Sequence, residues 1–484
     1  YIGFNYILTS VAVGGFFLVP SARSYLWTVI LVPIVALITI SLSSALSTFL
    51  LPVYALPFNI VVLLFLYSVK LRAKKSSGLA EVIIQQNSPE KNLYAWKNDQ
   101  SRFRHEILPL RFPFFGSWSV SQGHNGEHTH KGEWKHAWDF IITGNDGKQH
   151  RGKGDFVEDY FCYGKPVNAA ADGIIEAVTD DVPDNTIGDA NLKDNWGNTV
   201  VIRHNDYLYT SVSHLRPGSV PVKKGDRVRR GDLIGKCGNS GRSPYPHLHF
   251  QVQASPFIGS PTIDYSFATY VRHVPGKNEL ISYGKPLVND LVSNVETNNM
   301  LKNAFRLIPG RDICFMRVDD GEKSDWEVAT NEYNYQYIRC RKSGAVAWFR
   351  YDDSTFCFTH YTGPKSSLLY SFFNAAYKVP LGFYDDFKIE DTLPVNTVFR
   401  GPILWLQDFI APFYTFLKPV YALEFEGSAS SVDPIDVRLD TRVSRYLFGR
   451  QFSETRFTIA ADEQGIASFT IILKKGRKEY IRCV

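Results

Sequence analysis

Histidines are concentrated in one part of this 484-residue chain, and their spacing is typical of a metal site. Nine of the twelve histidines lie between residues 124 and 249. In Pro246-His-Leu-His-Phe250, a strand would place His247 and His249 on one face, because side chains alternate along a strand. One imidazole can then bind a metal ion while its neighbour acts on the substrate. The pair by itself is equally compatible with two exposed or hydrogen-bonded core histidines.

The elements around this pair have the short, alternating pattern of β-strands separated by glycine turns. One strand ends at His214, and another is predicted to carry Asp139. The surrounding motifs are, in chain order, Trp138-Asp-Phe140, Gly164–Gly173, Asn198–His204, Ser213-His-Leu215, Val222–Gly235 and Gly238-Asn-Ser-Gly241.

Taken in this order, the motifs resemble the lysostaphin-type family of zinc metallopeptidases, which cleave peptide cross-bridges or stems of bacterial peptidoglycan. The resemblance covers about residues 118–253. It implies that Asp139 and His249 are zinc ligands, and that His214 and His247 act on the water and the tetrahedral intermediate. A catalytic zinc takes three protein ligands and keeps its fourth position for water.

The remaining ligand departs from the commonest family pattern, H-x-x-x-D, because residue 135 is a lysine. His136 is near Asp139, but if Trp134–Phe140 is a strand, the two side chains point to opposite faces. We therefore predict His130 as the third ligand, supplied by a longer loop, with His128 and His136 as the alternatives.

Other candidate ligands are given structural roles. We expect His124 and His150 to be solvated loop residues and His204 to be a structural residue at a strand end. The six cysteines form no C-x-x-C pair, and we expect buried thiols or a stray disulfide rather than a cysteine metal site.

The N-terminal block has the composition of membrane helices. Arg23 is the only charged residue from Tyr1 to Val69, and a helix needs about 20 apolar residues to span a bilayer. We predict three apolar segments, of which the first and last are short: Tyr6–Pro20, Tyr25–Leu50 and Phe58–Val69. A basic cluster follows at Lys70, Arg72, Lys74 and Lys75, where it would contact lipid headgroups.

This block resembles part of a urea transporter, through Gly3–Leu8, Ala12–Gly15 and Leu51-Pro-Val-Tyr-Ala-Leu-Pro-Phe58. Ala55 replaces the threonine of the family signature, which weakens an inference of transport. The resemblance covers about 70 residues, less than one repeat, and implies that further transporter residues precede Tyr1 in the full protein.

Membrane orientation is indicated in two conflicting ways. A peptidoglycan hydrolase must face the periplasm of a bacterial inner (cytoplasmic) membrane, whereas the basic cluster after the last helix favours a cytoplasmic end. We predict a periplasmic peptidase domain, because the substrate chemistry outweighs four charges.

The predicted fold class is multi-domain: transmembrane α-helices, an antiparallel β-sheet peptidase domain, and a β-rich C-terminal region. The predicted boundaries are 1–72 (membrane segment), 73–109 (linker with one short helix), 110–260 (peptidase), 261–300 (linker) and 301–484 (β-rich domain). In the last of these, Val398–Leu423 is expected to form a buried helix or a surface-docking segment.

The leading hypothesis is a membrane-tethered zinc endopeptidase with peptidoglycan peptides and membrane lipid as partners. The alternative is a urea transport protein that carries a non-catalytic or regulatory metal-binding module. The net charge of +5 argues against a nucleic-acid partner.

Overall fold

The computed structural model describes residues 3–71, 78–82, 85–86, 88–102, 108–384, 387–426, 437–473 and 476–483. The chain divides into two compact units. Unit 1 comprises Tyr1–Arg102, Glu390–Tyr421 and Arg442–Thr455, and unit 2 comprises Phe103–Ile389, Ala422–Thr441 and Arg456–Val484.

Helices dominate unit 1 and are short in unit 2. The α-helices of the described residues are α1 (Phe4–Val11), α2 (Ala22–Ser47), α3 (Leu56–Lys70), α4 (Pro89–Arg102), α5 (Asn299–Phe305), α6 (Leu368–Ala375), α7 (Val395–Val398) and α8 (Pro402–Ile410). A π-helical turn, Ala12–Phe16, follows α1.

The long apolar helix α2 begins at a side-chain cap, where the Ser21 hydroxyl accepts a hydrogen bond from the Ser24 backbone N–H. Among the described residues, α2 is the one helix that is long and apolar enough to cross a membrane. The 15 residues of α3 rise about 22 Å at ~1.5 Å per residue, less than the ~30 Å of a hydrocarbon core. Of the predicted basic cluster, Arg72, Lys74 and Lys75 lie outside the described residues.

The strands of the described residues lie mostly in unit 2. They are β1 (Trp118–Gln122), β2 (Ala137–Ile141), β3 (Pro166–Asn168), β4 (Gly173–Thr179), β5 (Asn198–Asn205), β6 (Leu208–Leu215), β7 (Arg227–Val228), β8 (Leu233–Lys236), β9 (Leu248–Gln253), β10 (Phe267–Val274), β11 (Lys277–Gly284), β12 (Leu291–Asn294), β13 (Asp312–Arg317), β14 (Lys323–Thr330), β15 (Gln336–Cys340), β16 (Val346–Tyr351), β17 (Thr355–Thr362), β18 (Lys378–Pro380), β19 (Lys388–Thr392), β20 (Leu417–Glu426), β21 (Val437–Leu447), β22 (Arg450–Asp462), β23 (Gly465–Leu473) and β24 (Gly476–Arg482). Of these, β19 to β22 lie partly in unit 1.

A ten-stranded antiparallel sheet has the order β11-β10-β12-β1-β2-β9-β6-β5-β4-β7. Its core face is strongly aromatic: in β2, Trp138 and Phe140 are buried, and Asp139 between them faces the opposite side because side chains alternate. Burial of each large apolar side chain contributes about 1.5–3 kcal/mol. The aromatic core therefore fixes which side of the sheet carries the polar residues.

A second antiparallel sheet of twelve strands has the order β18-β17-β16-β15-β14-β13-β24-β23-β22-β21-β20-β19. A disulfide joins Cys314 in β13 to Cys483, which follows β24. The free cysteines 162, 237, 340 and 357 are buried, as the sequence predicts. The predicted fold class, helices followed by an antiparallel sheet and a β-rich C-terminal region, is confirmed.

The segment 261–300 differs from its prediction as a linker. It contains β10, β11 and β12, which are strands of the ten-stranded sheet, with β12 hydrogen-bonded to β1. A tight turn at Gly276, with φ of 71°, closes the hairpin of β10 and β11, and the charged side chains on both strands hide the apolar alternation. The segment 73–109 contains the one helix predicted there, α4, and Val398–Leu423 contributes α8 and the start of β20.

Candidate metal centre

Adjacent central strands bring the predicted site residues together. Asp139 in β2 lies directly opposite His249 in β9, and His249 lies opposite Ser213 in β6. Direct cross-strand neighbours have Cβ atoms about 4.5–5.5 Å apart. Three strands that are adjacent in the sheet but distant in sequence thus place a carboxylate and several imidazoles on one face.

His130, Asp139 and His249 form a buried cluster. The Asp139 Oδ1 atom lies 3.2 Å from His130 Nε2 and 2.9 Å from His249 Nδ1. One ligand atom from each residue lies within 4.8 Å of the other two. Two imidazole nitrogens and one carboxylate oxygen are a donor set that suits zinc.

Each imidazole of this cluster is held by a second hydrogen bond. His130 Nδ1 donates to the Gly123 carbonyl at 2.9 Å, and His249 Nε2 donates to Gln251 Oε1 at 3.0 Å. With those nitrogens protonated, His130 Nε2 and His249 Nδ1 are the ring nitrogens that face Asp139. A bound metal would take their lone pairs in place of the hydrogen bonds to the carboxylate. Outer partners of this kind fix the tautomer of metal-binding histidines, so the residues present fit a divalent metal.

His130 reaches the cluster from the loop between β1 and β2. The neck of the loop is closed where the Asn125 N–H donates to the Lys135 carbonyl at 2.7 Å. Gln122 organises its interior: its Nε2 donates to Asp139 Oδ2 at 2.8 Å, and its Oε1 accepts from the backbone N–H groups of residues 128 and 129. Gln122 and Gln251 are site residues that the sequence interpretation missed. For Gln251 the signal was its position two residues after His249, on the same face of the strand.

The Asp139 carboxyl has a perturbed pKa. Burial alone raises the pKa, but the neighbouring imidazoles of His247 and His130, with hydrogen bonds from His130 and His249, lower it well below its ordinary value. The group is therefore a carboxylate at neutral pH, which is the form that binds a metal.

Two further histidines border the cluster. The rings of His214 and His247 are 4.7 Å apart, and His247 Nε2 lies 3.8 Å from Asp139 Oδ1. His214 Nδ1 donates to the Ser240 carbonyl at 2.8 Å, and His247 Nδ1 donates to the Tyr245 carbonyl at 2.9 Å. In each ring Nε2 remains for a substrate. Complete burial, followed by the proximity of His247 and His249, lowers the pKa of His214 well below its ordinary value, so His214 is neutral at neutral pH.

The backbone at His214 is in the left-handed region, with φ of 63°. Such a conformation costs a non-glycine residue roughly 1–3 kcal/mol. Two backbone hydrogen bonds hold it there. The His214 N–H donates to the Trp196 carbonyl, and the His214 carbonyl accepts from the Gly238 N–H. The glycine at 238 is required, because a Cβ atom would lie 2.3 Å from the backbone nitrogen of Arg216.

The alternative ligands lie elsewhere. His128 is exposed on the loop. His136 lies in a second group with His124 and Asp264. The strand expected at Trp134–Phe140 is shorter, because Gly132–Trp134 forms a 3-10 turn and β2 begins only at Ala137, so strand alternation does not set the direction of His136. In this group the ammonium of Lys285 is bound to Asp264, so a cation already neutralises the carboxylate.

One expectation for the remaining histidines is wrong. His124 is not solvated, since its ring packs 4.1 Å from that of Trp138, and burial, then His136 and Lys285, lower its pKa to about 4. His150 is half-buried against Tyr160. His204 bonds through both nitrogens, to the Asp172 carbonyl and the Thr210 hydroxyl, which is a structural arrangement.

Tryptophans line one side of the centre. The Trp196 ring lies 5.3 Å from the His249 ring and 6.0 Å from the partly exposed Trp134. A separate cleft of about 1020 Å³ lies beside His204 and Arg203, where both nitrogens of the histidine are already bonded.

Two family models match parts of this chain. The family model of Peptidase family M23 matches residues 157–259, a range that includes His214, His247 and His249. The family model of the Urea transporter family matches residues 1–70. Asp139 and His130 precede the peptidase match, and their assignment depends on the structure.

Individual relatives match the same region. The chain is 36% identical over 104 residues to the peptidoglycan DD-endopeptidase ShyC of Vibrio cholerae. The aligned region covers 22% of this chain and 20% of ShyC. It is 46% identical over 56 residues to the peptidoglycan DD-endopeptidase ShyA of the same organism. That aligned region covers 12% of this chain and 13% of ShyA. A solved zinc-containing peptidase of Vibrio cholerae is 23% identical, with a TM-score of 0.21, over 31% of this chain and 38% of that one. The chain thus spans a fifth or less of the length of ShyC and ShyA.

Proposed function

We propose that this chain, which contains an M23 peptidase domain and a urea-transporter-like segment, is a membrane-tethered zinc endopeptidase that cleaves peptide bonds of bacterial peptidoglycan. One observation carries the proposal: His130 Nε2 and His249 Nδ1 converge on the Asp139 carboxylate. Each ring is locked by a separate acceptor. The match to Peptidase family M23 supports the peptidase chemistry.

His130, Asp139 and His249 would hold the zinc ion. When bound by three protein ligands, zinc would polarise the carbonyl of the scissile peptide bond and lower the pKa of a water to about 7. The three residues leave the face toward His214 and His247 for the substrate, since both of those rings lie within 6 Å of a ligand ring or carboxylate.

In this proposal His214 accepts the proton of the attacking water. Its Nδ1 is committed to the Ser240 carbonyl, so its Nε2 is the basic nitrogen, and its lowered pKa keeps it neutral. His247 lies nearer the surface, with its Nδ1 committed to Tyr245. When protonated, its Nε2 can donate to the developing oxyanion and then to the leaving amine.

The substrate class is inferred from the relatives. Two of them, ShyC and ShyA, are peptidoglycan DD-endopeptidases, and the Trp134–Trp196 side of the centre offers flat apolar surface to a peptide. Peptidoglycan lies outside the cytoplasmic membrane, so the peptidase domain is periplasmic in this proposal. Helix α2, with membrane lipid as its partner, would tether it to the inner membrane.

A second function is favoured by the match of residues 1–70 to the Urea transporter family. In that case the membrane part conducts urea and the metal centre regulates it. Urea flux into proteoliposomes, compared between wild type and His249→Ala, separates the two functions. A flux that depends on the metal ligand would support regulation in place of hydrolysis.

Zinc analysis tests the ligand set. Wild type should bind one zinc per chain at this centre, and His130→Ala should lose it. His128→Ala, on the same loop, is the matched control and should keep it. Equal zinc content in all three proteins would contradict the proposed centre.

Digestion of purified sacculi tests the substrate. Zinc-loaded wild type should release peptide fragments, and His247→Ala should retain zinc but release far less. If the zinc-loaded wild type releases none, the metal centre stands while the peptidoglycan substrate is wrong.

A further inference from the structure

Helix α8 in unit 1 buries a polar side chain and exposes its large apolar ones, the opposite of an ordinary surface helix. Its one fully buried residue is Gln407, which accepts hydrogen bonds from the backbone N–H groups of Phe416 and Leu417 and donates to the Tyr414 carbonyl. The large apolar side chains point outward instead: Trp405 is 71% exposed, Phe409 83% and Phe413 66%. A surface helix in water buries its apolar face and exposes its polar one.

The polar side of this segment is held by specific contacts within unit 1. Asp408 Oδ1 accepts a hydrogen bond from the Tyr94 hydroxyl of α4 at 2.8 Å, and Lys97 Nζ donates to the Thr415 hydroxyl at 3.0 Å. Burial, followed by the bond to Asp408, raises the pKa of Tyr94, so this tyrosine remains a donor. The outward direction of the apolar side chains is thus fixed by bonds on the opposite side.

The exposed apolar surface is continuous with one end of the apolar helices. The ring of Phe413 lies 5.6 Å from that of Tyr25, in the first turn of α2. The ring of Trp27, also near the start of α2, lies 5.1 Å from that of Phe65, near the end of α3. The start of α2, the end of α3 and the segment after α8 therefore meet at the same end of the helix pair.

We propose that Pro402–Tyr414 is an interfacial membrane anchor, whose exposed Trp405, Leu406, Phe409, Phe413 and Tyr414 insert into the lipid headgroup region where α2 enters the bilayer. The inference relies on the membrane-spanning role of α2 in the proposed function. Tryptophan and tyrosine concentrate at membrane interfaces because their rings combine apolar area with a polar group. A contiguous apolar patch of this kind, next to a lipid-exposed helix, has lipid as its natural partner.

Charge at the edge of the patch agrees with a phospholipid surface. Arg400 precedes α8 and Lys91 lies on α4, and both side chains are exposed. Cationic side chains beside an inserted apolar face bind anionic headgroups. The anchor would hold a segment more than 300 residues after α2 at the same membrane surface.

Site-specific fluorescence in proteoliposomes of phosphatidylethanolamine and phosphatidylglycerol tests the proposal. Phe409→Cys carries an environment-sensitive thiol probe, and the free cysteines of the described chain are buried, so the label selects this position. Lipid spin-labelled near the headgroup should quench the probe about two-fold or more. Tyr333→Cys, at an exposed residue of unit 2, is the matched control and should be quenched far less.

A third probe separates this proposal from the tether itself. Leu37→Cys places the label on the exposed side of α2, where lipid spin-labelled deep in the acyl chain should quench it. Quenching at residue 37 without quenching at residue 409, or equal quenching at residues 409 and 333, would overturn the interfacial anchor while leaving α2 in the membrane. Absence of quenching at residue 37 would overturn the tether, and the anchor with it.

Discussion

Two clusters in unit 2 have the same composition, two histidines and an aspartate, and both draw histidines from the loop between β1 and β2. His130, Asp139 and His249 are buried, and the pKa of the Asp139 carboxyl is lowered chiefly by imidazoles. His124, His136 and Asp264 are half-buried to exposed, and Asp264 is bound by the ammonium of Lys285. Residue type alone does not distinguish them.

The difference lies in what surrounds each group. In the buried cluster every ring nitrogen that does not face Asp139 has an acceptor of its own, and the carboxylate has no lysine or arginine partner among the described contacts. A buried carboxylate without such a cation is costly unless a metal or protonated imidazole compensates it. In the other cluster, lysine fills that role. The two clusters differ in whether a cationic side chain already neutralises the carboxylate. A set of ligands favours metal binding when their carboxylate has no such partner.

The largest effect is expected from removal of a ligand. His249→Ala should abolish zinc binding and lower peptidase activity more than about 100-fold, beyond the 10- to 100-fold loss typical of outer partners. Zinc content and fragment release from sacculi measure both. Full zinc content in this variant would show that the two clusters had been assigned the wrong way round.

His214→Ala should separate metal binding from catalysis. The variant should keep its zinc, because His214 does not contact Asp139 through a hydrogen bond, but should lose roughly 10²- to 10⁴-fold in kcat, the usual contribution of general acid–base groups. Loss of the metal together with activity would instead place His214 among the ligands.

Gln122→Leu should have an intermediate effect. The substitution removes the bond to Asp139 Oδ2 and the two bonds that order the loop of His130, so zinc affinity should fall about 10- to 100-fold. Competition with a zinc chelator measures the affinity. An unchanged affinity would mean that His130 is positioned without the glutamine.

His136→Ala should have the smallest effect. It removes a ring from the cluster that lysine already neutralises, so zinc stoichiometry should stay the same and activity should change less than about two-fold. A fall in zinc content to half of the wild-type value would reveal a metal in the second cluster.

Strand pairing accounts for part of what the sequence predicted at the site, since His249 on β9 lies opposite Asp139 on β2. His247 and His136 each precede their strand by one residue, so strand alternation did not decide their directions, although His247 lies near Asp139 and His136 lies in the other cluster. Their roles in metal binding and catalysis stay predictions. The choice of His130 needed a loop ligand, because the residue at the usual position is Lys135.

What the sequence did not predict depends on contacts between distant segments. Gln122 is an ordinary polar residue until the pairing of β1 with β2 sets it opposite Asp139. His124 was expected in solvent, but the ring of Trp138 covers it. The sequence predicts a linker at β10 to β12 because charged residues interrupt the apolar alternation there. Only the pairing of β12 with β1, and of β10 with β12 and β11, shows that these strands extend the sheet.

The most direct measurement is a crystal structure of the zinc-loaded protein with anomalous data collected at the zinc edge. We expect one anomalous peak in unit 2, bound by His130 Nε2, an Asp139 oxygen and His249 Nδ1. A peak at His124, His136 and Asp264 with none at Asp139, or coordination by His128 in place of His130, would contradict it.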